Sequence, residues 1–425
     1  MTTATVDEAA RRALGAACDR VSEPTADDHV DGVRPGLVAF PASTPEVAEV
    51  MRAAAAHGLA VVARGRGTKL SWGRAPTRVD LVVDLAAMDR ILDHAAGDLI
   101  AEAQAGTPLS RLRSTLAGAG QRLAVDETVP GTTVGGALAT GASGPTRLAH
   151  GTLRDLLIGV TVVRADGVVA RAGGRVVKNV AGYDLGKLMI GSFGTLAVVT
   201  EAVFRLHPVP AERRFVTVPV ADPVDAGRLT QEVVHSQVVP GALEVDLPAT
   251  GPGTLTVLLG GIPEGVRGRT RATLDLLGDT ATAAEEPPVG WAEYPWPTPS
   301  PTTATGDDRA TALKLGFALS GLVDVLRTAR GAPGPVHVRG SSGTGVVYAA
   351  VPAGTDPAAV AETVGHLRGV CVRHGGSAVV LDAPAAVKAV VDSWGPVPAL
   401  ALMRRVKDQF DPDRRLAPGR FVGGI

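Results

Sequence analysis

The sequence predicts an α+β protein of two domains, and three observations lead to this prediction. The chain has 425 residues, more than a single domain usually holds. From Pro35 to Pro208, short Val- and Leu-rich segments alternate with segments of helical pattern. After Pro210 the order of predicted strands and helices changes to two β-α-β-β-α series, which are typical of an antiparallel sheet covered by helices on one face.

The first domain opens with a well-marked helix. Ser43-Thr44-Pro45-Glu46 forms a capping box with proline near the first helical position, and Gly58 ends the helix. The segments that follow alternate between strand and helix: strands at 59–63, 81–85 and 99–104, and a helix at 109–119.

The second domain has its own order of elements. The first series comprises a strand at 213–220, a helix at 224–235, strands at 242–246 and 255–260, and a helix at 266–277. The second comprises strands at 313–317, 336–340, 346–351 and 378–381, with helices at 319–329 and 358–374. We therefore expect an antiparallel α+β cap of ferredoxin-like character.

Composition shifts set the expected boundaries. We predict an N-terminal helix and linker (1–30), a first domain (31–208), a cap domain (209–392) and a C-terminal segment that returns to the first domain (393–425). Within the cap, residues 285–308 are rich in Pro, Thr and Ala and predict a mobile connection, which Trp291, Tyr294 and Trp296 could anchor.

Bulk composition excludes several classes of protein. A net charge of −1 gives no reason to expect nucleic acid or an acidic membrane surface as a partner. No apolar run reaches the roughly 20 residues of a spanning helix, and the N-terminus lacks a signal-peptide pattern. Two cysteines, Cys18 and Cys371, cannot ligate an iron–sulfur cluster, so any such carrier is expected on another subunit. We expect a cytoplasmic protein, with attachment to the inner face of the membrane through partners left open.

The first of three glycine clusters runs from Val62 to Gly73, directly after a strand. Small residues let consecutive backbone N–H groups converge on an anion such as pyrophosphate. Leu70 stands where a dinucleotide-binding fingerprint needs a third glycine, and Pro76 prevents a helix from starting promptly. The cluster also lacks the Gly-Lys-Ser/Thr of a P-loop. An ordinary strand-to-turn loop is the alternative interpretation.

The second and third clusters lie further along the chain. Pro130–Gly141 offers glycines for close backbone contact and the hydroxyls of Thr133 and Thr140, although a small-residue helix packed on a sheet is an alternative. The third cluster comprises Gly173–Leu185 and Gly191–Glu201, and its turn would bring backbone amides of Val198 or Val199 beside a planar ring. A hairpin with a buried strand is the alternative. Three glycine loops within roughly 150 residues suit one elongated cofactor.

These clusters, in this order, resemble the FAD-binding domain of the vanillyl-alcohol-oxidase (PCMH-type) superfamily. The third cluster and the C-terminal Met403–Pro412 and Pro418–Phe421 are similar to the FAD-binding E subunit of bacterial glycolate oxidase. The resemblance implies a two-subdomain PCMH-type FAD-binding domain at 31–208. It also implies the residues that contact FAD: Arg64, Gly65, Arg66, Gly67, Thr68, Ser71 and Trp72 at the pyrophosphate; Thr133, Gly135, Gly136, Thr140 and Gly141 along the ribityl and phosphate path; and Val198 or Val199 at the isoalloxazine edge.

Two departures from the family pattern refine these expectations. Some members tether FAD through a histidine in the first loop, where this chain has Thr68, so we expect non-covalent FAD. Related catalytic subunits carry a pair of clustered histidines, whereas the histidines here are scattered, and we expect no metal.

Three functions remain open at this stage. The first is an FAD-binding subunit that works with a catalytic flavin subunit and an iron–sulfur subunit on a small 2-hydroxy acid. The second is a self-sufficient FAD-dependent oxidoreductase of a small hydroxy acid or a sugar, for which Arg339, His337, Lys314 and Tyr348 are candidate catalytic residues. The third is a structural subunit without catalytic function.

Overall fold

The structure, a computed structural model, describes residues 6–175, 184–297 and 308–425. The described helices are α1 (Glu8–Ala17), α2 (Thr44–Ala56), α3 (Leu109–Ala117), α4 (Val134–Thr140), α5 (Arg147–His150), α6 (Leu153–Leu156), α7 (Gly186–Met189), α8 (Pro223–Val234), α9 (Pro263–Leu277), α10 (Leu322–Arg330), α11 (Pro357–Arg373), α12 (Ala385–Val390) and α13 (Leu400–Phe410). The described strands are β1 (Val21–Ser22), β2 (Leu37–Ala39), β3 (Val61–Arg64), β4 (Leu81–Asp84), β5 (Ile91–Ala95), β6 (Ile100–Gln104), β7 (Gln121–Arg122), β8 (Leu157–Val163), β9 (Val169–Gly173), β10 (Val198–Arg205), β11 (His207–Pro208), β12 (Glu212–Val220), β13 (Ala242–Leu247), β14 (Gly253–Gly261), β15 (Thr282–Ala284), β16 (Thr311–Gly316), β17 (His337–Ser341), β18 (Val346–Val351) and β19 (Ser377–Asp382).

The chain divides into two compact units. The first unit contains residues 1–142, 152–208 and 396–425, and the second contains residues 143–151 and 209–395. The short segment 143–151, with α5, therefore belongs to the second unit, although its place in the sequence assigned it to the first domain.

Two sheets form the first unit. In the four-stranded sheet, of order β1-β2-β4-β3, the strands β2, β4 and β3 run parallel, and β1 pairs antiparallel at the edge. The five-stranded sheet, of order β5-β6-β10-β8-β9, is antiparallel. Helix α2 begins as the capping box predicts, since the Ser43 hydroxyl accepts a hydrogen bond from Glu46 N at 3.3 Å. Its buried side chains, Val47 and Met51 among them, join the same apolar core as both sheets.

The C-terminal segment extends the parallel sheet at its β3 edge. Val61 N donates to Arg415 O at 2.8 Å, and Ala417 N donates to Val61 O at the same distance. Residues from the end of the chain therefore complete the sheet from which the first glycine loop emerges.

An eight-stranded antiparallel sheet forms the second unit, in the order β15-β12-β14-β13-β17-β18-β16-β19. The two β-α-β-β-α series meet at the β13–β17 pair, on either side of which the strand order is mirrored. Helices α8, α9, α10 and α11 bury their apolar sides against one face of this sheet. The predicted α+β class with an antiparallel cap sheet is confirmed.

Part of the predicted mobile connection can be located. Its residues 298–307 lie outside the described part of the chain. The Trp291 ring packs edge-on against Phe215, with centroids 5.1 Å apart, and the buried Tyr294 and Trp296 rings stack at 4.7 Å. The three predicted aromatic anchors thus pack within the second unit.

Among the described residues, no helix is both long and apolar enough to cross a membrane.

Candidate functional site

A cavity of about 790 Å³, open at its mouth, lies in the first unit. Three segments contribute to its wall. The first glycine loop (residues 65–73) contributes its residues 65–70, the second glycine loop with the start of α4 (residues 130–136) contributes Thr133, Gly135 and Gly136, and the third glycine loop (residues 191–197) contributes Ser192, Phe193, Gly194 and Ala197. The predicted contact residues that line the cavity are Arg64, Gly65, Arg66, Gly67, Thr68, Thr133, Gly135, Gly136, Thr140 and Val199. This volume includes the open space at the mouth of the cavity.

Glycines allow the first two loops to touch. A Cβ placed on Gly65 would stand 2.3 Å from the Thr133 hydroxyl oxygen, so any side chain there would separate the loops. Gly135 packs in the same way, because its N–H donates to Ala105 O at 2.7 Å and a Cβ would meet the Ala105 methyl at 2.9 Å. Gly67 has φ +74°, a conformation that other residues rarely adopt. Close approach at two positions and backbone conformation at the third thus explain these glycines.

Hydrogen bonds fix the threonine hydroxyls of the second loop. Thr133 is the N-cap of α4 and accepts a hydrogen bond from Gly136 N at 3.2 Å. The Thr140 hydroxyl donates to Gly136 O at 2.8 Å, so only its lone pairs are left for a ligand.

The third loop is joined to the second through α4. Gly191 N donates to Leu138 O at 2.9 Å, and Phe193 N donates to Ala139 O at 2.8 Å. Strand alternation then decides between the two valines that the sequence left open. Val199 lines the cavity, whereas Val198 is fully buried in the core. The earlier part of this cluster, residues 176–183, lies outside the described residues.

Four predicted contact residues lie outside the cavity lining. Ser71 and Trp72 follow the last lining residue of the first loop, Leu70, and the carbonyl of the buried Trp72 accepts a hydrogen bond from Arg420 at 2.8 Å. Gly141 serves as the left-handed C-cap of α4, with φ +60°. Val198 is the fourth, for the reason of alternation given above.

Arg64 lines the cavity and is paired with two carboxylates. Its guanidinium donates to Asp84 Oδ2 through Nε at 2.9 Å and through Nη2 at 2.6 Å, and Nη2 also lies 2.7 Å from Asp28 Oδ1. Burial alone would lower the pKa of Arg64, but the charges and hydrogen bonds of Asp84 and Asp28 raise it above its usual value. Two carboxylates therefore neutralise this arginine, and it holds the loop to its sheet.

Two other cations in the cavity lining are absent from the sequence prediction. Lys69 is buried in the first loop, and Arg420 comes from the C-terminal segment and donates to Leu70 O at 2.7 Å. Lys69 directly follows the predicted Thr68, and Arg420 falls in the C-terminal motif. Both residues stand next to or within motifs that the sequence analysis identified, but the sequence did not show that their side chains face the cavity.

The C-terminal segment also holds the third loop. Lys407 is fully buried, and its Nζ donates to Thr195 O at 2.7 Å, to Leu416 O at 3.0 Å and to Asp411 Oδ2 at 2.7 Å. The Phe421 ring stacks on Phe193 with centroids 5.6 Å apart. One terminal segment thus supports two of the three loops.

In the second unit, the predicted catalytic residues lie on the sheet face opposite the helices. His337 Nε2 lies 2.6 Å from Asp246 Oδ1, and Arg339 donates to Asp246 Oδ2 through Nε at 3.0 Å and Nη2 at 2.7 Å. Burial alone would raise the pKa of Asp246, but hydrogen bonds from His337 and Arg339 lower it below its usual value. The Asp246 carboxylate therefore neutralises the Arg339 guanidinium, which is the group that a substrate carboxylate would have to bind.

Tyr348 and Lys314 are paired across neighbouring strands of the same sheet. The Tyr348 hydroxyl is buried and donates to Ser143 O at 3.1 Å. Lys314 is half-buried and makes no ion pair with any carboxylate in the described part of the chain.

Across the described ranges, no group of three or more His, Cys, Asp or Glu residues could hold a metal ion.

Residues 35–173 match the protein family described as "FAD binding domain", and residues 386–421 match "FAD linked oxidases, C-terminal domain". Two segments, which together make up less than half of the chain, are thus similar to FAD-binding and FAD-linked oxidase domains. FAD is thereby confirmed as the predicted cofactor.

Curated relatives are similar over the same region. An uncharacterized FAD-linked oxidoreductase of Mycobacterium tuberculosis (Rv2280) is 34% identical over 211 residues, which are 50% of this chain and 46% of the relative. Glycolate oxidase subunit GlcD of Bacillus subtilis is 33% identical over 49% of this chain and 45% of its own length. Subunit GlcE of Escherichia coli is 32% identical over 53% of this chain and 61% of its own length. The match thus spans about half the length of the first of these relatives.

Solved structures share the fold. An alkyldihydroxyacetonephosphate synthase has a TM-score of 0.73 at 18% identity and covers 99% of this chain and 87% of its own. A chitooligosaccharide oxidase has a TM-score of 0.66 at 18% identity, over 96% and 98% of the two chains. At such identities the likeness concerns the fold alone.

The cavity fits an FAD-sized ligand on the observations of this structure. Glycines at positions 65, 67, 135 and 136 leave backbone exposed along its wall, and the cations Arg66, Lys69 and Arg420 suit the two negative charges of a pyrophosphate. Apolar side chains such as Leu85 and Val199 line other parts of the wall and suit an aromatic ring. No histidine or cysteine occurs among the lining residues that the structure describes.

Proposed function

We propose that this chain is an FAD-binding subunit of a complex that oxidises a small 2-hydroxy acid, with FAD held non-covalently in the cavity of the first unit. The observation that carries the proposal is the convergence of all three glycine loops on one cavity. Packing alone does not require such a convergence, because Gly67 and Gly136 border the cavity without contacting another loop's backbone.

Within this proposal, each part of the cavity has a task. Backbone N–H groups near Gly67 and Gly136, together with the Arg66 side chain, would bind the pyrophosphate. Val199 and Ala197 would pack against the ring system and exclude water from it. Bound FAD supplies the capacity to accept the two electrons removed from a hydroxy acid.

Two observations support a division of labour between subunits. Relatives of about one-third identity include the glycolate oxidase subunits GlcD and GlcE, whose names indicate a multi-subunit enzyme. In addition, Asp246 already neutralises Arg339, whose Nη1 donates to Gly290 O at 3.1 Å. A substrate carboxylate would have to compete with both contacts. We therefore propose a catalytic flavin subunit and an iron–sulfur subunit as partners.

Turnover by the purified chain tests this proposal. The FAD-loaded chain is assayed with glycolate and D-lactate and an artificial dye as electron acceptor, alone and with the candidate partner subunits. We expect turnover by the chain alone to be at least 100-fold below that of the assembled complex, because Asp246 already pairs with Arg339, the candidate carboxylate clamp. Comparable turnover by the isolated, monodisperse chain would contradict partner dependence.

A self-sufficient oxidoreductase is the second candidate. It is favoured by Lys314, which has no carboxylate partner among the described residues and lies beside Tyr348 on the sheet face opposite the helices. If the isolated chain turns over, loss of activity in Lys314→Met with full flavin content would place this lysine at the substrate. Lys187→Met, a change in the first unit, is the control.

A further inference from the structure

Lys69 has a buried amine in the cavity wall, and the proposed function above gives it no specific task. Only 7% of the residue is exposed, yet it belongs to the wall of the cavity. Its Nζ donates to Thr132 Oγ1 at 2.6 Å and to Thr68 Oγ1 at 3.2 Å. The Thr132 hydroxyl in turn donates to Val129 O at 2.6 Å, so it can only accept from the lysine. An ammonium group has three donors, and two neutral hydroxyls satisfy two of them.

The charges around Lys69 leave it without a close counter-ion. In the described part of the chain, no carboxylate lies within ion-pair distance of its Nζ. The charge of Glu127 acts on Lys69, but this carboxylate has other partners. Its Oε1 accepts a hydrogen bond from Gly131 N at 3.0 Å, and its Oε2 lies 3.7 Å from Arg113 Nη2. The remaining charged side chains of the cavity wall are the cations Arg64, Arg66 and Arg420, and Arg64 is neutralised by Asp28 and Asp84.

This environment disfavours a proton on the amine. Burial lowers the pKa of Lys69 to about 7, and the charge of Glu127 opposes this only in part. A nearby dianion would reverse the balance, since an opposite charge favours the charged form. The geometry provides a place for it, because the lysine bridges the first and second glycine loops at the cavity wall.

We propose that Lys69 is a proton-linked anchor for the FAD pyrophosphate: it takes up a proton when FAD binds, and the affinity for FAD falls as the pH rises above neutrality. The proposal rests on the placement of FAD in this cavity. It assigns the role of principal pyrophosphate cation to Lys69 in place of Arg64.

The sign and size of the effect follow from linkage. The pKa of Lys69 is lower in the free protein than in the FAD complex. At a pH between these two pKa values, the complex therefore carries more bound protons than the free protein. The two phosphates of FAD are both esterified and do not titrate near neutrality. If Lys69 stays protonated in the complex, the dissociation constant rises roughly 25-fold between about pH 6.5 and pH 8.5, since each pH unit above the free pKa costs a factor of ten.

The experiment measures FAD binding to the cofactor-free chain by flavin fluorescence at both pH values. Calorimetry at about pH 8 in phosphate and in Tris, which differ in ionisation enthalpy, gives the number of protons taken up. We expect close to one proton for the wild type and none for Lys69→Met, whose affinity no longer changes with pH. Arg66→Gln is the matched control: arginine stays charged, so its loss lowers affinity by the same factor at both pH values.

Each outcome decides between the alternatives. Equal wild-type affinity at both pH values with no proton uptake overturns the proposal, as does a pH dependence that persists in Lys69→Met. If Lys69→Met does not fold, Lys69→Arg replaces it, and a retained pH dependence there overturns the proposal equally. If FAD binds with wild-type affinity to Lys69→Met, Arg66→Gln and Gly136→Val alike, the placement of FAD in this cavity is itself wrong.

Discussion

Lys407→Met tests whether the C-terminal segment supports the cofactor loops. The wild-type ammonium is fully buried and has three partners: the Asp411 carboxylate and the carbonyls of Thr195 and Leu416. Methionine fills a similar volume but donates to none of them. The change therefore leaves a buried carboxylate without its cation and the carbonyl of the third glycine loop without its donor.

The expected cost can be worked from these contacts. Removal of one partner from a buried ion pair costs about 3–5 kcal/mol. Asp411 keeps hydrogen bonds from Arg415 N at 3.0 Å and Leu416 N at 2.7 Å, which favours the lower end of that range. At about 2–4 °C per kcal/mol for a domain of this size, a loss of about 3 kcal/mol should lower the melting temperature of the first unit by roughly 6–12 °C.

The assay combines thermal unfolding with hydrogen exchange measured by mass spectrometry. We expect faster exchange in residues 191–197 and 411–417 and weaker FAD binding. Arg405→Met, an exposed change on the same helix, is the control and should alter the free energy of unfolding by less than about 0.5 kcal/mol. Adding Asp411→Asn to Lys407→Met should recover part of the loss, because the stranded charge is removed. A Lys407→Met protein with wild-type stability and exchange would refute the reasoning.

Two further predictions concern the cofactor. Gly136→Val should abolish flavin absorbance with little loss of fold, because a Cβ there meets only the Thr133 hydroxyl, at 3.2 Å. Gly135→Val should abolish flavin absorbance and also lower the melting temperature, because its Cβ would lie 2.9 Å from the Ala105 methyl. Equal stability of the two variants, or retained flavin in Gly136→Val, would contradict this. Acid precipitation of the loaded protein should release the yellow colour into the supernatant, whereas colour in the pellet would show a covalent link.

Local signals in the sequence were sufficient for many of the helices and strands and for the order of the cofactor loops. The Ser43 capping box fixes where α2 begins, because the bond from Glu46 N involves residues only three apart. The two strand–helix series after Pro210 likewise specify the antiparallel sheet through periodicity alone. The glycine clusters could be recognised because a loop that approaches another backbone tolerates no side chain, as at Gly65.

Tertiary structure alone decided which charges and faces serve the site. Arg64, the last residue of β3, and Lys69, in the loop that follows, lie five residues apart, and nothing local distinguishes their roles. Asp84, 20 residues further along the chain, neutralises the arginine, while Thr132, 63 residues away from the lysine, meets it with an uncharged hydroxyl. The free energy of a charge depends on its counter-ions and its burial, and both are set by segments distant in sequence. For the same reason Arg420, which bonds to Leu70 across 350 residues, could not be placed at the cavity before the fold was known.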